Sequence, residues 1–147
     1  MINRRQTLQL TTGLGLTMLP TLSQADELEL RALKQSLFGK RTPQAGRVEL
    51  KVPALAENGN SVGLSVSIAP QRTSRPVQLV ILSPGNPEPL IARFSFGPRG
   101  NAQQIDTRIR LATSQTLEAI AEFDDGSLWF AAAETVVTQA ACVEGLI

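Results

Sequence analysis

The 147-residue sequence has no histidine, no tyrosine, one tryptophan and one cysteine, and its charges nearly balance, with 14 Lys+Arg against 13 Asp+Glu. Each scarcity removes a class of function. Without histidine there is no Ser-His-Asp triad, no imidazole-ligated metal and no imidazole acid or base near neutral pH. A lone cysteine cannot close an internal disulfide, and it excludes zinc knuckles, iron-sulfur clusters and a CxxCH haem attachment. A net charge of +1 argues against a nucleic-acid binder, which needs a concentrated basic surface to displace counterions. We therefore expect no catalytic residues, no cofactor and no metal. What remains is a chain of single-domain length whose only strongly nucleophilic side chain is Cys142.

The N-terminus reads as an address. Arg4 and Arg5 precede an acid-free, largely apolar stretch, residues 8–22, that ends in Ser23-Gln24-Ala25. This is the pattern of a twin-arginine-type export signal with a small-x-small cleavage site after Ala25. Gly13, Gly15 and Pro20 interrupt the apolar stretch, which is also short of the ~20 residues a membrane span needs. No stable span is expected once the signal, residues 1–25, is removed, and the expected location is the periplasm. Loss of Arg4 and Arg5 from the 14 Lys+Arg leaves 12 against 13 Asp+Glu, so the mature chain is close to neutral. An unpaired cysteine in an exported protein is unusual, because oxidising compartments tend to pair cysteines or lose them.

From residue 26 onward one helix precedes a series of strands. Asp26 and Glu29 have helix-start spacing, Leu30, Leu33 and Leu37 recur at helical period, and Gly39 can end the helix. This predicts a helix over residues 26–38. The period then becomes two. Val48, Leu50 and Val52 alternate with Glu49 and Lys51, and Val62, Leu64, Val66 and Ile68 with Gly63, Ser65 and Ser67, as in half-buried strands. Glu57-Asn58-Gly59-Asn60 between them has the composition of a tight turn with positive-φ residues. Residues 77–82 form a continuous apolar run suited to a central strand, and residues 90–96, 105–111, 117–123 and 127–137 complete the set. Asp124-Asp125-Gly126 marks a hairpin between the last two. About seven strands separated by Gly, Pro and Asn turns predict an all-β fold, an immunoglobulin-like antiparallel β-sandwich with a short N-terminal helix over residues 26–138.

Most other candidate sites have plainer readings. Adjacent Asp124 and Asp125 suit a turn better than an acid/base pair. Arg108 and Arg110 share one strand face and could hold an anion, although a solvated face explains them as well. Trp129 and Phe130 point to opposite faces, one into the core and the other available to a partner.

Residues 139–147, Gln139-Ala140-Ala141-Cys142-Val143-Glu144-Gly145-Leu146-Ile147, have no alternation and form a C-terminal arm. Cys142 on it is either a small hydrophobe packed with Val143, Leu146 and Ile147, or a thiol offered to other proteins. Periodicity does not choose between them.

Several segments in order and spacing bear on the choice: Ala56-Glu57-Asn58-Gly59 before an alternating strand, Asn86-Pro87-Glu88-Pro89 before Ala92-Arg93-Phe94, Thr107-Arg108-Ile109-Arg110-Leu111-Ala112, Asp125-Gly126, and Val136-Val137-Thr138 before the terminal cysteine. In these the chain resembles SoxY, the carrier subunit of the periplasmic sulfur-oxidising system. The resemblance implies a covalent carrier rather than an enzyme, with Cys142 as the sulfur attachment residue. It further implies a heterodimer with a SoxZ-like subunit, a cytochrome-containing complex that loads thiosulfate, and a hydrolase that releases sulfate. The family's cysteine normally stands in a Gly-Gly-Cys-Gly-Gly ending, whereas here Ala140, Ala141, Val143 and Glu144 surround it. The alternative expectation is a non-carrier binding subunit that pairs with another immunoglobulin-like protein, Cys142 being incidental.

Overall fold

The structure, a computed structural model, describes residues 24–70, 72–100 and 103–141. Among these, α1 (Gln24–Phe38) is followed by β1 (Gln44–Ala45), β2 (Val48–Lys51), β3 (Leu55–Ala56), β4 (Val62–Ile68), β5 (Pro76–Leu82), β6 (Leu90–Ser95), β7 (Gln104–Ile109), β8 (Gln115–Phe123) and β9 (Leu128–Val137). The seven longer strands are those the sequence predicts. They form two sheets, one ordered β1-β9-β8-β5-β6 with β3 also on β9, the other β2-β4-β7. The fold is all-β and immunoglobulin-like, with one short helix.

The period-two strands behave as expected. Val62, Leu64, Val66 and Ile68 of β4 are buried, and Val48 and Leu50 of β2 join them against Leu79, Ile81, Leu117, Ala119, Ala121 and Phe123 of the facing sheet. The unbroken apolar run of β5 has a different cause, because both its faces are covered. Leu79 and Ile81 enter the inter-sheet core, while Val80 and Leu82 lie under α1 with Ile120, Leu128 and Phe38. The helix is therefore a third layer on the outer face of the larger sheet. Its Leu30, Leu33 and Leu37 pack at the margin of that second cluster. Two ion pairs reinforce the contact, Lys34 Nζ to Glu118 Oε2 at 2.6 Å and Arg41 Nη1 to Glu122 Oε1 at 2.6 Å. Glu118, Ile120 and Glu122 alternate on β8, so one outward face supplies the pairs and the apolar seat between them.

The structure differs from the sequence expectation at four points. The helix begins at Gln24, so Asp26 lies within its first turn instead of capping it. The sheet is not wholly antiparallel, since β1 and β3 both run parallel to β9. After β1 the chain crosses to the other sheet as β2 and returns as β3 farther along the same strand, covering an edge that would otherwise be open to pairing. The Asn58-Gly59 turn is thus not a hairpin joining β2 to β4, and Gly59 is not among the positive-φ residues. Finally, Phe130 packs beneath α1 and Trp129 against the inter-sheet core, so neither aromatic is left over. The Arg47 guanidinium lies 4.0 Å from the Trp129 ring centroid, within cation–π range.

The β8–β9 hairpin follows its turn chemistry. Gly126 has a φ of 80°, and Asp125 Oδ1 accepts from both the Ser127 N–H (2.9 Å) and the Ser127 hydroxyl (2.6 Å). Asp124 instead accepts from the N–H and Nε of Arg75. The two acids are structural turn residues with separate partners. The Ser127 hydroxyl, and secondarily its N–H, hold the Asp125 carboxyl below its ordinary value of 3.8. Stabilisation from a carboxyl held down in this way is present above the ordinary value and is lost as pH falls through the lower folded one. Ser127→Ala is expected to move the Asp125 titration upward, which carboxyl-carbon NMR would register; an unmoved titration would show that the hydroxyl is not the cause.

Candidate functional site

Cys142, Arg4 and Arg5 lie outside the described residues, which end with the segment leading to Cys142. That segment is held to the sandwich up to Ala141. At the end of β9, Val136 N–H donates to Ala54 O (2.9 Å) and Thr138 N–H to Ala56 O (3.1 Å), continuing the parallel pairing with β3. Thr138 Oγ1 adds a bond to Glu57 O at 3.0 Å. Fully buried Thr135, the residue before Val136, donates its Oγ1 to Pro53 O at 2.8 Å and ties down the start of the same segment.

Beyond Thr138 three chain segments meet. Gly59 N–H donates to Gln139 O (2.7 Å), Leu111 N–H donates to Gly59 O (2.8 Å), and Ala141 N–H donates to Leu111 O (3.0 Å). The bonds close a ring through residue 59, residue 111 and residues 139–141. Ala141 is only 7% exposed and Leu111 is fully buried. Gly59 is required here by space rather than by φ: a Cβ at this position would stand 2.4 Å from Leu111 O, 2.8 Å from Ala141 N and 3.0 Å from Gln139 O. All three are backbone atoms, so none can step aside as a side chain could.

A second set of bonds braces Leu111 from its flanks. Asn86 Nδ2 donates to Arg110 O (2.8 Å), and Asn86 Oδ1 accepts from Ala112 N–H (2.9 Å) and from Gln115 Nε2 (3.2 Å). Gln115 Oε1 in turn accepts from the hydroxyl of buried Ser83 (2.7 Å) and from Gly85 N–H (2.8 Å). One asparagine thus holds the backbone on both sides of the residue that holds Ala141. Each such bond contributes about 0.5–1.5 kcal/mol net, and their convergence also gives the loop one geometry.

Arg108 and Arg110 do share an exposed side, lining an open groove of about 420 Å³ with Asn86, Pro87, Glu88 and Leu90. Arg108 Nε donates to Ser61 Oγ at 2.7 Å. With Glu88 in the same lining, the groove carries both signs of charge.

The sequence singles out Asn58-Gly59 as a turn and Asn86-Pro87 as a loop, and in neither case does it indicate that they meet at the root of residues 139–147. The missed roles are those of Gly59, Leu111 and Asn86. The only advance signal was that all three sit in the segments carrying the family resemblance. Three of those segments, the ones that hold Gly59, Asn86 and Leu111, come together at residues 139–141, immediately before Cys142.

Comparison with known proteins gives the same assignment. The family described as sulfur oxidation protein SoxY matches residues 34–142. No curated protein matches. Among solved structures, the sulfur carrier protein SoxY from Chlorobium limicola f thiosulfatophilum is similar at 26% identity with a TM-score of 0.65, covering 76% of this chain and 98% of that one. A superoxide reductase (neelaredoxin) from Ignicoccus hospitalis is similar at 20% identity and a TM-score of 0.52, covering 63% of this chain and 80% of that one. A structure titled as a putative superoxide reductase from Thermotoga maritima has 13% identity and a TM-score of 0.54, covering 66% of this chain and 95% of that one. The two reductases share the sandwich alone. From the family match over residues 34–142, the chain belongs to the sulfur oxidation protein SoxY family.

Proposed function

We propose that this protein is a sulfur carrier that holds thiosulfate-derived intermediates covalently on Cys142 and presents them to oxidising and hydrolysing partners. The observation that carries the reading is the extent of the family match, which includes Cys142, in a sequence with one cysteine. The similarity to a SoxY sulfur carrier over 98% of that chain supports it, as does the convergence of the shared segments just before the thiol.

In loading, the Cys142 thiol loses its proton and its sulfur bonds to the terminal sulfur of thiosulfate. Two electrons leave to a haem-containing oxidant in a partner complex, and the product is Cys142–S–S–SO3⁻. In release, water attacks the sulfonate sulfur and the S–SO3 bond breaks. Sulfate and two protons leave, and Cys142 keeps one sulfane sulfur as a persulfide anion, Cys142–S–S⁻. Both are reversible-type sulfur derivatives that thiol chemistry supports. The chain supplies the attachment point, and the oxidant and the hydrolytic machinery belong to partners. A SoxZ-like subunit pairs with the sandwich as a heterodimer, and the export signal at Arg4 and Arg5 places the assembly in the periplasm.

Intact-mass spectrometry after incubation with thiosulfate and a c-type cytochrome oxidant from a thiosulfate-oxidising system tests the reading. The protein is expected to gain the elements S2O3 on Cys142. No gain, with a pairing subunit still bound, would instead make the chain a non-carrier subunit.

A further inference from the structure

We propose that Gly59 is a positioning residue for the carrier thiol: by lacking a Cβ it lets Leu111 O, Gln139 O and Ala141 N converge on it, and this ring fixes the chain at the residue preceding Cys142. The observations are the three ring hydrogen bonds of 2.7, 2.8 and 3.0 Å, the 7% exposure of Ala141 and the absence of room for any side chain at residue 59. Its meaning for sulfur transfer rests on the carrier reading above, whereas the ring itself does not.

The ring changes the reach of the thiol. If the chain were free from Thr138 onward, the Cα of Cys142 could lie up to about 14 Å from that of Thr138, four residues at ~3.5 Å each. Held at Ala141, it lies about 3.8 Å from a fixed Cα. The volume open to the sulfur's attachment point falls roughly fiftyfold, and its effective concentration at a correctly docked active site rises accordingly. A tether this short delivers its cargo only to an enzyme whose entrance closes against this end of the sandwich, where Asn58, Arg110 and Ala140 are exposed beside the ring. Selection among partners is then made by the docked surface and not by the length of a swinging arm. Asn86 contributes from the other side of Leu111, because it fixes Arg110 O and Ala112 N without entering the ring.

The single cysteine allows the test without any sulfur chemistry. A nitroxide attached to Cys142 through a methanethiosulfonate reagent is followed by electron paramagnetic resonance in the full chain. The expected wild-type spectrum is broadened, and Gly59→Ala is expected to shorten the label's correlation time by about threefold or more toward that of the urea-unfolded chain. Amide exchange provides a second readout. Ala141 N–H donates to Leu111 O, and Gly59→Ala is expected to speed its exchange about tenfold or more. If Gly59→Ala does not fold, Asn86→Ala leaves the ring sterically intact and is expected to shift both readouts in the same direction by a smaller factor. A wild-type label as mobile as in urea, or folded variants with unchanged spectra and exchange, would overturn the proposal. Loss of thiosulfate loading with the label still restrained would count against the carrier reading and leave the ring standing.

Discussion

A protein with serine in place of Cys142 is expected to take up no thiosulfate-derived sulfur at all. The loss is complete because the chemistry needs a sulfur–sulfur bond. A serine oxygen can neither make that bond nor reach an anionic, nucleophilic form near neutral pH, and the sequence holds no second thiol to substitute. The comparison is made in the same incubation that loads the wild type, by intact mass. Residual S2O3 on Cys142→Ser would overturn the assignment of the attachment site. Folding is not expected to change, since the ring at Gly59, Leu111 and Ala141 uses backbone groups up to the preceding residue only. A normal unfolding transition in the variant would therefore separate loss of the reacting atom from loss of structure. Pairing with the proposed SoxZ-like subunit is expected to persist as well, which distinguishes carriage from assembly.

Phe38→Ala is expected to cost about 3–5 kcal/mol of stability, the range for removing a buried phenylalanine from a packed core. Phe38 is 3% exposed and seats the last turn of α1 against Val80, Leu82, Ile120 and Leu128. The backbone around it is closely specified: Gly39, at a φ of 66°, returns its N–H to Gln35 O at 2.8 Å. Arg41 Nε donates to Phe38 O at 3.0 Å while the same guanidinium pairs with Glu122. A helix terminus held this way cannot slide inward to fill the space, so most of the cavity cost should be realised. Out of a total of about 5–15 kcal/mol for a domain of this kind, the loss lowers the melting temperature by on the order of 10 °C or more. Leu28→Ala is the contrasting case, since Leu28 is 64% exposed and its loss should cost within about 0.5 kcal/mol. Urea unfolding of both variants checks the pair. Equal midpoints would mean that α1 is not a structural layer of the sandwich.

The surface ion pairs that tie α1 and Arg41, three residues beyond its end, to β8 contribute less than this apolar seat. Arg41 remains 42% exposed and Lys34 33%, and pairs so solvated contribute about 0–1 kcal/mol each. Their effect is to orient the helix on an outer sheet face that Val80, Leu82 and Ile120 have already made adhesive.

Local order was legible in the sequence wherever one rule governs it. Alternation at Val62 to Ile68 marks a one-faced strand because side chains on a strand switch sides at every residue, and Asp125-Gly126 marks the hairpin because few residues other than glycine adopt a positive φ readily. The same rules misread Asn58-Gly59: a glycine needed for close backbone approach and one needed for positive φ look identical in a sequence. Likewise the run at residues 77–82 announces burial on both faces without saying that a helix provides the second cover, and the parallel β1 and β3 are too short to show a period.

By itself, then, the sequence determined the seven longer strands, the single nucleophile and the family to which its spaced segments point, because these depend on residue types and on spacings within a few positions. Only the tertiary structure decided that Gly59, Leu111 and residues 139–141 belong together. Their ring is made of backbone groups from segments far apart in the chain, and backbone N–H and C=O groups are the same at every residue. Nothing in the side chains announces which of them will meet; the packing of two sheets brings them within 3.0 Å and so decides where the chain is held just before its one thiol.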